Sequence, residues 1–230
     1  MRTTEIRGIC SMATRGLLDE LCAEYSKRSG VPVAIEAVGG VDAARRVATD
    51  EPFDVVFLAA DAIAKLAAAG KVDADGQVAL VNSGVAAAVP AGTPRPDFST
   101  EAAVREAVLA APRIAYSTGP SGVALLELFR TWGIGEALRN RLLQAPSGVP
   151  VGTLLARGEA SLGFQQLSEL IGLEGIELIG PLPEAIQINT VFSAAPCTAS
   201  QQRAAVRALL EFLTSSDCDE AKGRHGMSPA

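Results

Sequence analysis

Asp50-Glu51-Pro52-Phe53-Asp54-Val55-Val56-Phe57-Leu58 runs on through Ala59-Ala60-Asp61 to Ala69-Gly70. Asp54–Leu58 is almost unbroken in apolar residues, the pattern of a strand buried on both faces of a parallel sheet. From Asp61 the period lengthens to that of a helix, which Gly70 closes. A buried parallel strand that passes directly into a helix is half of a βαβ unit, and the same alternation recurs along the chain.

Upstream, Ile6–Cys10 reads as a strand and Ala13–Ser29 as an amphipathic helix with Leu17, Leu18, Leu21 and Tyr25 on one face, stopped by Gly30. Val31–Val38 is a second strand, Gly39-Gly40 a turn, and Val41 or Asp42 opens a short helix carrying Arg45 and Arg46. Downstream, Val78–Val89 is a long uncharged strand broken by Pro90, Pro94 and Pro96. Thr100 caps a helix reaching Ala111, with Glu101 in its first turn. The remaining strands are Ile114–Tyr116, Ala160–Phe164 and Ile176–Gly180, with an extended Gln187–Ser193. The remaining helices are Val123–Trp132, Gly135–Leu143, Val151–Arg157, Gln166–Ile171, Ser200–Thr214 and Asp217–Arg224. This pattern predicts mostly parallel α/β sheets with right-handed crossovers.

Composition narrows the function. At 230 residues the chain suits two domains of roughly 100 residues each. Aromatics are 4% of the chain, too few for a base-stacking platform, and no basic run exceeds Arg45-Arg46, so nucleic acid is not an expected partner. A net charge of −6 means that any anionic ligand must be held by local dipoles and one or two cations. Cys10, Cys22, Cys197 and Cys218 lack metal-ligand spacing and read as reduced thiols; with His225 the only histidine, neither a metal nor a cofactor is expected. No apolar run is long enough for a membrane span. No leader peptide is visible from Met1 onward, which predicts a cytoplasmic protein, or a periplasmic one whose leader was trimmed.

In parallel sheets ligands bind beyond the carboxyl ends of strands. Ser11 and Met12 follow the first strand, and Gly39-Gly40 the second. Ser117-Thr118-Gly119-Pro120-Ser121-Gly122 follows Ile114–Tyr116, and Gln165-Gln166 follow Phe164. These ends offer hydroxyls, amides and helix N-terminal N–H groups, the equipment of an anion cradle. The stretch from Ser117 lacks both the lysine of a P-loop and the GxSxG frame of a nucleophile elbow. The alternatives are a capping role for Ser11 and a plain turn at Gly39-Gly40. Arg15 and Arg45 are candidate bidentate partners for a carboxylate. His225 reads as a helix C-terminal residue.

Four blocks together resemble the molybdate-binding and related substrate-binding proteins of ABC transporters, with the type 2 periplasmic-binding fold. They are Ser11-Met12-Ala13, the stretch Asp50–Leu58 with Ala60-Asp61, Arg157-Gly158-Glu159-Ala160-Ser161-Leu162-Gly163-Phe164, and Arg224-His225-Gly226-Met227. The resemblance implies two Rossmann-like lobes with mixed, mostly parallel sheets and a two-strand hinge. Lobe 1 would be residues 1–82 plus 193–230 and lobe 2 residues 83–192, with crossings near 81–89 and 187–193. It further implies oxyanion contacts from Ser11, Gly39 or Gly40, the Ser117–Ser121 stretch and Gln165, and a transporter permease as partner. Glycines where serines are usual, and glutamine where a tyrosine is usual, point away from molybdate and toward a di- or tricarboxylate. The expected function is non-catalytic binding of a small anion. The alternative is an isomerase of an unsaturated carboxylate such as aconitate, which needs a base; Asp42, Asp61 and His225 are the nearest candidates.

Overall fold

A computed structural model describes residues Glu5–Ala230. Met1–Thr4, on which the expectation about a leader peptide falls, lie outside the described residues.

The chain opens with β1 (Ile6–Ser11), a 3-10 turn (Met12–Thr14) and α1 (Arg15–Ser29). It continues through β2 (Val33–Val38), α2 (Gly40–Ala48), β3 (Val55–Ala59), α3 (Ala60–Ala68) and the long β4 (Val78–Pro90). Next come α4 (Glu101–Ala110), β5 (Ile114–Tyr116), α5 (Pro120–Thr131), α6 (Gly135–Leu138), β6 (Leu142–Gln144) and α7 (Val151–Ala156). The remainder is β7 (Leu162–Gln166), α8 (Leu167–Leu170), β8 (Ile176–Pro181), β9 (Asn189–Pro196), α9 (Arg203–Leu213), α10 (Asp219–Arg224) and β10 (Met227–Pro229). The chain divides into two compact units: one runs to Asn82 and resumes at Val191, the other is Ser83–Thr190. Both crossings fall inside strands, β4 and β9.

In the first unit β2, β1 and β3 are parallel and β9 runs antiparallel to β3. Strand alternation divides the core in two. Ile6, Cys10, Val55 and Phe57 face α1, α9 and α10, whereas Ile9, Val56 and Leu58 face α2 and α3. Strands β1, β2 and β3 pack so closely at Gly8 that an added Cβ would sit 2.6 Å from Ile35 Cδ1 and 2.9 Å from Val55 Cγ1. The four cysteines are buried and free, as the sequence suggested, and burial pushes the thiols of Cys10, Cys22 and Cys197 up to about 12.

In the second unit β6, β5 and β7 are parallel, while β4 runs antiparallel to β7 and to β8. One face carries Val85, Val89, Phe129 and Phe164, the other Ala86, Ala88 and Ala115. The alanine face is small because α7 lies directly on the sheet. A Cβ added to Gly163 would meet Val151 Cγ1 at 2.6 Å and Leu155 Cδ1 at 2.9 Å.

Four expectations change. The helix over Gly135–Leu143 ends at Leu138, and Leu142–Gln144 becomes strand β6. Arg141 turns aside there, donating from Nη1 to the carbonyls of Leu109 (2.8 Å) and Ala111 (2.9 Å) at the end of α4. Gly39-Gly40 is not a separate turn: Gly39 is the N-cap (φ −57°) and Gly40 already belongs to α2. Helix α5 begins at Pro120, not Val123, because proline suits the first helical position. Strand β7 lies two residues later than expected, since Gly158 (φ 70°) and the bond from Ser161 N to the Arg113 carbonyl hold Ala160 in the preceding turn.

Candidate functional site

Register aligns the carboxyl ends of the first unit. Ser11 is opposite Val38, and Cys10 is opposite Phe57, so Ser11, Val38 and Leu58 are level. The helical turns that follow begin at Met12, Gly40 and Ala60, within two residues of that level. Gly40 lies beside Ser11: a Cβ built there would be 3.6 Å from Ser11 Cβ, ordinary contact that leaves glycine optional on steric grounds. First-turn N–H groups lack intrahelical partners and carry the positive end of the helix dipole.

Ser11 itself is buried, and its Oγ has no hydrogen-bond partner among the described residues. The capping alternative therefore does not hold, for no side-chain cap bond forms; instead Thr14 Oγ1 donates to the Ser11 carbonyl (3.3 Å). Met12 beside it is half-buried. Arg15 and Arg45 are exposed, pairing along their own helices with Asp19 (3.6 Å) and Asp42 (3.5 Å). The other candidate bases are also engaged: Asp61 with Lys65 (3.6 Å), and His225 Nε2 with Glu20 Oε2 (2.8 Å). Bonds from Arg224 and His225 hold Glu20 below the usual carboxylate range.

The second unit repeats the plan with different chemistry. Tyr116 is level with Gln144 and Phe164. Beyond it, Ser117 Oγ and Ser121 Oγ lie 3.1 Å apart, and Thr118 is half-buried. Gly122 is required here, because a Cβ would fall 1.9 Å from the Ser117 carbonyl oxygen. The loop is thus folded onto the first turn of α5, with two hydroxyls bonded to each other.

Gln165 and Gln166 end β7 and point to opposite faces. Gln165 Oε1 accepts from Val151 N (2.6 Å) and its Nε2 donates to Glu169 Oε1 (2.7 Å), so both ends of this amide are engaged within the protein. Gln166 is buried; its Nε2 donates to Thr190 Oγ1 (2.8 Å) while its Oε1 has no partner. Rotating this amide by half a turn, with the Thr190 hydroxyl reversing its role, would turn the unpartnered acceptor into a donor. Ser83 Oγ and Ser168 Oγ are likewise buried without partners. Sequence reasoning placed Gln165 and Gln166 together at the strand end, carried only Gln165 forward as a contact, and missed Ser83 and Thr190. Two signals were present: adjacent strand residues face opposite ways, and Ser83 is a hydroxyl inside the otherwise apolar Val78–Val89 run.

Glu169 stands apart electrostatically. Burial raises its carboxyl to about 7, against an opposing bond from Gln165. The other carboxylates with a resolved shift (Glu20, Glu36, Glu51, Asp97 and Glu127) all move down, held by arginine, histidine or serine donors.

This arrangement belongs to a ligand-binding class. Residues 6–228 match the family described as bacterial extracellular solute-binding protein, and the chain belongs to that family. It is 38% identical over 232 residues to an aconitate isomerase from a Pseudomonas species, covering 98% of this chain and 88% of that protein. In fold it is similar to the periplasmic molybdate-binding protein of Azotobacter vinelandii (TM-score 0.80, 19% identity, 96% and 98% of the two chains). It is equally similar to the sulfate-binding protein of Mycobacterium tuberculosis (TM-score 0.80, 18% identity, 99% and 87% of the two chains). These matches bear out the resemblance to molybdate-binding-type proteins and the mixed α/β fold. Among the described residues, no helix is long and apolar enough to cross a membrane.

Proposed function

We propose that this protein captures a small organic di- or tricarboxylate through uncharged donors at the ends of its strands, and delivers it outside the cytoplasmic membrane to an ABC transporter permease. The observation that carries the reading is the buried, unpartnered Ser11 Oγ at the carboxyl end of β1, beside the first turn of α2. Leaving a buried polar group unsatisfied costs about 1–3 kcal/mol, an expense that a bound anion accepting from it offsets. Gly39, Gly40 and Met12 would add backbone N–H groups. In the second unit Ser117, Thr118, Ser121 and Gln166 are the donors at the strand ends, while Gln165 fixes α7. Arg15 and Arg45 stay outside the contact. A carboxylate is favoured over a tetrahedral oxyanion by the 38% identity to an aconitate isomerase, and the amides at the end of β7 add hydrogen-bonding variety.

A thermal-shift panel tests this, comparing trans-aconitate, cis-aconitate, citrate and tricarballylate with molybdate, tungstate and sulfate. A ligand at one hundred times its Kd stabilises the folded state by about 2.7 kcal/mol, a shift of several degrees. Stabilisation by the carboxylates supports the reading. A response confined to the tetrahedral anions would replace the ligand class, and none at all would overturn the function.

A second reading is favoured by the 38% identity to an aconitate isomerase across nearly the whole chain. Here the bound acid would undergo an allylic shift. A base removes a proton from the methylene carbon, the C–H electrons form the new double bond, and the displaced π electrons take a proton at the far allylic carbon. The step is redox-neutral and needs one proton-exchanging group but no cofactor. NMR of trans-aconitate incubated with the protein in deuterium oxide reads it directly, through cis product and deuterium at the methylene.

A further inference from the structure

We infer that Ser83, Gln166 and Ser168 form one hydroxyl–amide subsite in the second unit, and that it takes a single carboxylate group of the ligand. This rests on the carboxylate-binding reading and deepens it by adding Ser83 and Ser168 to the contacts.

Four buried side-chain polar atoms lack a hydrogen-bond partner among the described residues: Ser11 Oγ, Ser83 Oγ, Gln166 Oε1 and Ser168 Oγ. Ser11 ends β1, and the other three share one end of the second unit's sheet. Gln166 is the last residue of β7, and Ser168 follows two residues later in α8. Strand β4 runs antiparallel to β7 with Val85 opposite Gln166. Carried two residues toward the carboxyl end of β7, that register sets Ser83 level with Ser168. Side chains alternate along a strand, so Ser83 leaves β4 on the face shared by Val85 and Gln166. All four unpartnered atoms thus gather at the carboxyl ends of parallel strands, where ligands of such sheets bind.

Packing does not account for these polar groups. The same face of the sheet continues as Val85, Ala87 and Phe164, an apolar surface on which an alanine would replace Ser83 without loss. Gln187, in the same unit, shows what a structural glutamine does. Its Oε1 accepts from Val85 N (3.1 Å) and Ile188 N (2.8 Å), and its Nε2 donates to the Leu182 carbonyl (3.3 Å). Gln166 uses one end alone, donating from Nε2 to Thr190 Oγ1 (2.8 Å). A buried polar group kept without a partner is destabilising, so its presence points to a partner that the chain does not supply.

The chemistry of the three groups suits a carboxylate. Each hydroxyl turns about a single bond to aim its O–H, and the amide can turn to present its N–H in place of Oε1. That gives three uncharged donors from β4, β7 and α8, and a carboxylate offers about four lone-pair positions to receive them. Neither β7 nor β4 from Ser83 onward carries a charged side chain. The acid on α8, Glu169, accepts from Gln165 Nε2 (2.7 Å), and Gln165 leaves β7 on the opposite face.

Calorimetry of the full chain with trans-aconitate, beside the thermal midpoint of the unliganded protein, tests the subsite. Ser83→Ala and Ser168→Ala should each weaken binding by about tenfold or more and leave the unliganded midpoint unchanged or raised, because no bond within the protein is lost. A crystal structure of the complex should place a ligand carboxylate oxygen about 3 Å from Ser83 Oγ and Ser168 Oγ. Affinity that stays within about twofold in either variant overturns the proposal. So does a lowered midpoint, which would mean that the hydroxyl bonds within the protein, and so does a complex in which only water occupies the position. Each of these leaves the binding function standing. If the wild type does not bind trans-aconitate, the functional reading itself fails and the proposal falls with it.

Discussion

The strand ends of the two units carry polar groups of different kinds. In the first unit they are built from Ser11, Gly39, Gly40 and Ala60, small residues without a titratable side chain, converging at one level of three parallel strands. In the second they are built from hydroxyls and amides that bond one another, backed by a carboxyl that titrates near neutrality. In the proposed site the first set is fixed, and its strength would be set by geometry alone. The second can be altered by turning an amide or moving a proton, so pH and ligand chemistry should act mainly through the second unit.

Breaking the scaffold under one set of donors gives the largest effect. Gly122→Ala forces a Cβ into the Ser117 carbonyl, and the loop with the first turn of α5 must move. We expect a loss of stability above about 3 kcal/mol, read by chemical denaturation and larger than for Gly40→Ala, whose Cβ has ordinary room. Next, Ser11→Ala should weaken the favoured ligand by about ten- to one-hundredfold, the value of a hydrogen bond to a charged group, while leaving the thermal midpoint of the unliganded protein unchanged or raised. Gln166→Leu should weaken binding by about tenfold and alter the order of preference within the anion panel, because the amide it removes can serve as donor or acceptor.

Glu169 gives a pH prediction that separates the units. Its folded value is raised above its ordinary 4.5, so the folded state holds a proton that the unfolded chain has released. Its contribution is therefore fully present below about pH 4.5 and is lost as pH rises through about 7. Glu169→Gln should flatten that decline, as measured by denaturant midpoints at several pH values, whereas Ser11→Ala should leave it in place. The smallest effect belongs to the exposed arginines: Arg15→Ala and Arg45→Ala should each change ligand affinity by less than about threefold, in keeping with pairs worth about 0–1 kcal/mol at the surface.

Most of the fold was legible because its elements announce themselves by period and punctuation. The apolar Val55–Leu58 run, the left-handed Gly30 and Gly70, and Thr100, whose Oγ1 accepts from Ala103 N at 3.1 Å, act locally and can be read locally. Strand β6 was not legible: Leu142–Gln144 is a strand only because β5 lies beside it and Arg141 has turned away to α4. The start of α5 was hidden by a Pro-Ser-Gly sequence that reads equally as a turn.

The site was legible as strand ends but not as chemistry. Nothing in the text distinguishes Gln165, bonded at both ends, from Gln166, which keeps an unused oxygen. That difference depends on which face of β7 meets α7. Nor does the sequence reveal Glu169, since a carboxyl becomes unusual only when the groups around it are known. The sequence made Arg15 and Arg45 attractive as cations near helix starts, but each has an acid one turn away on its own helix.

The most direct test of the central claim is the affinity of the wild type and Ser11→Ala for trans-aconitate and for molybdate, measured by calorimetry on ligand-stripped protein. The account predicts that trans-aconitate binds the wild type more tightly than molybdate does, and that Ser11→Ala loses at least about tenfold of that affinity without losing stability. Binding of trans-aconitate that is undiminished in Ser11→Ala, or a wild type that takes neither anion, would contradict it.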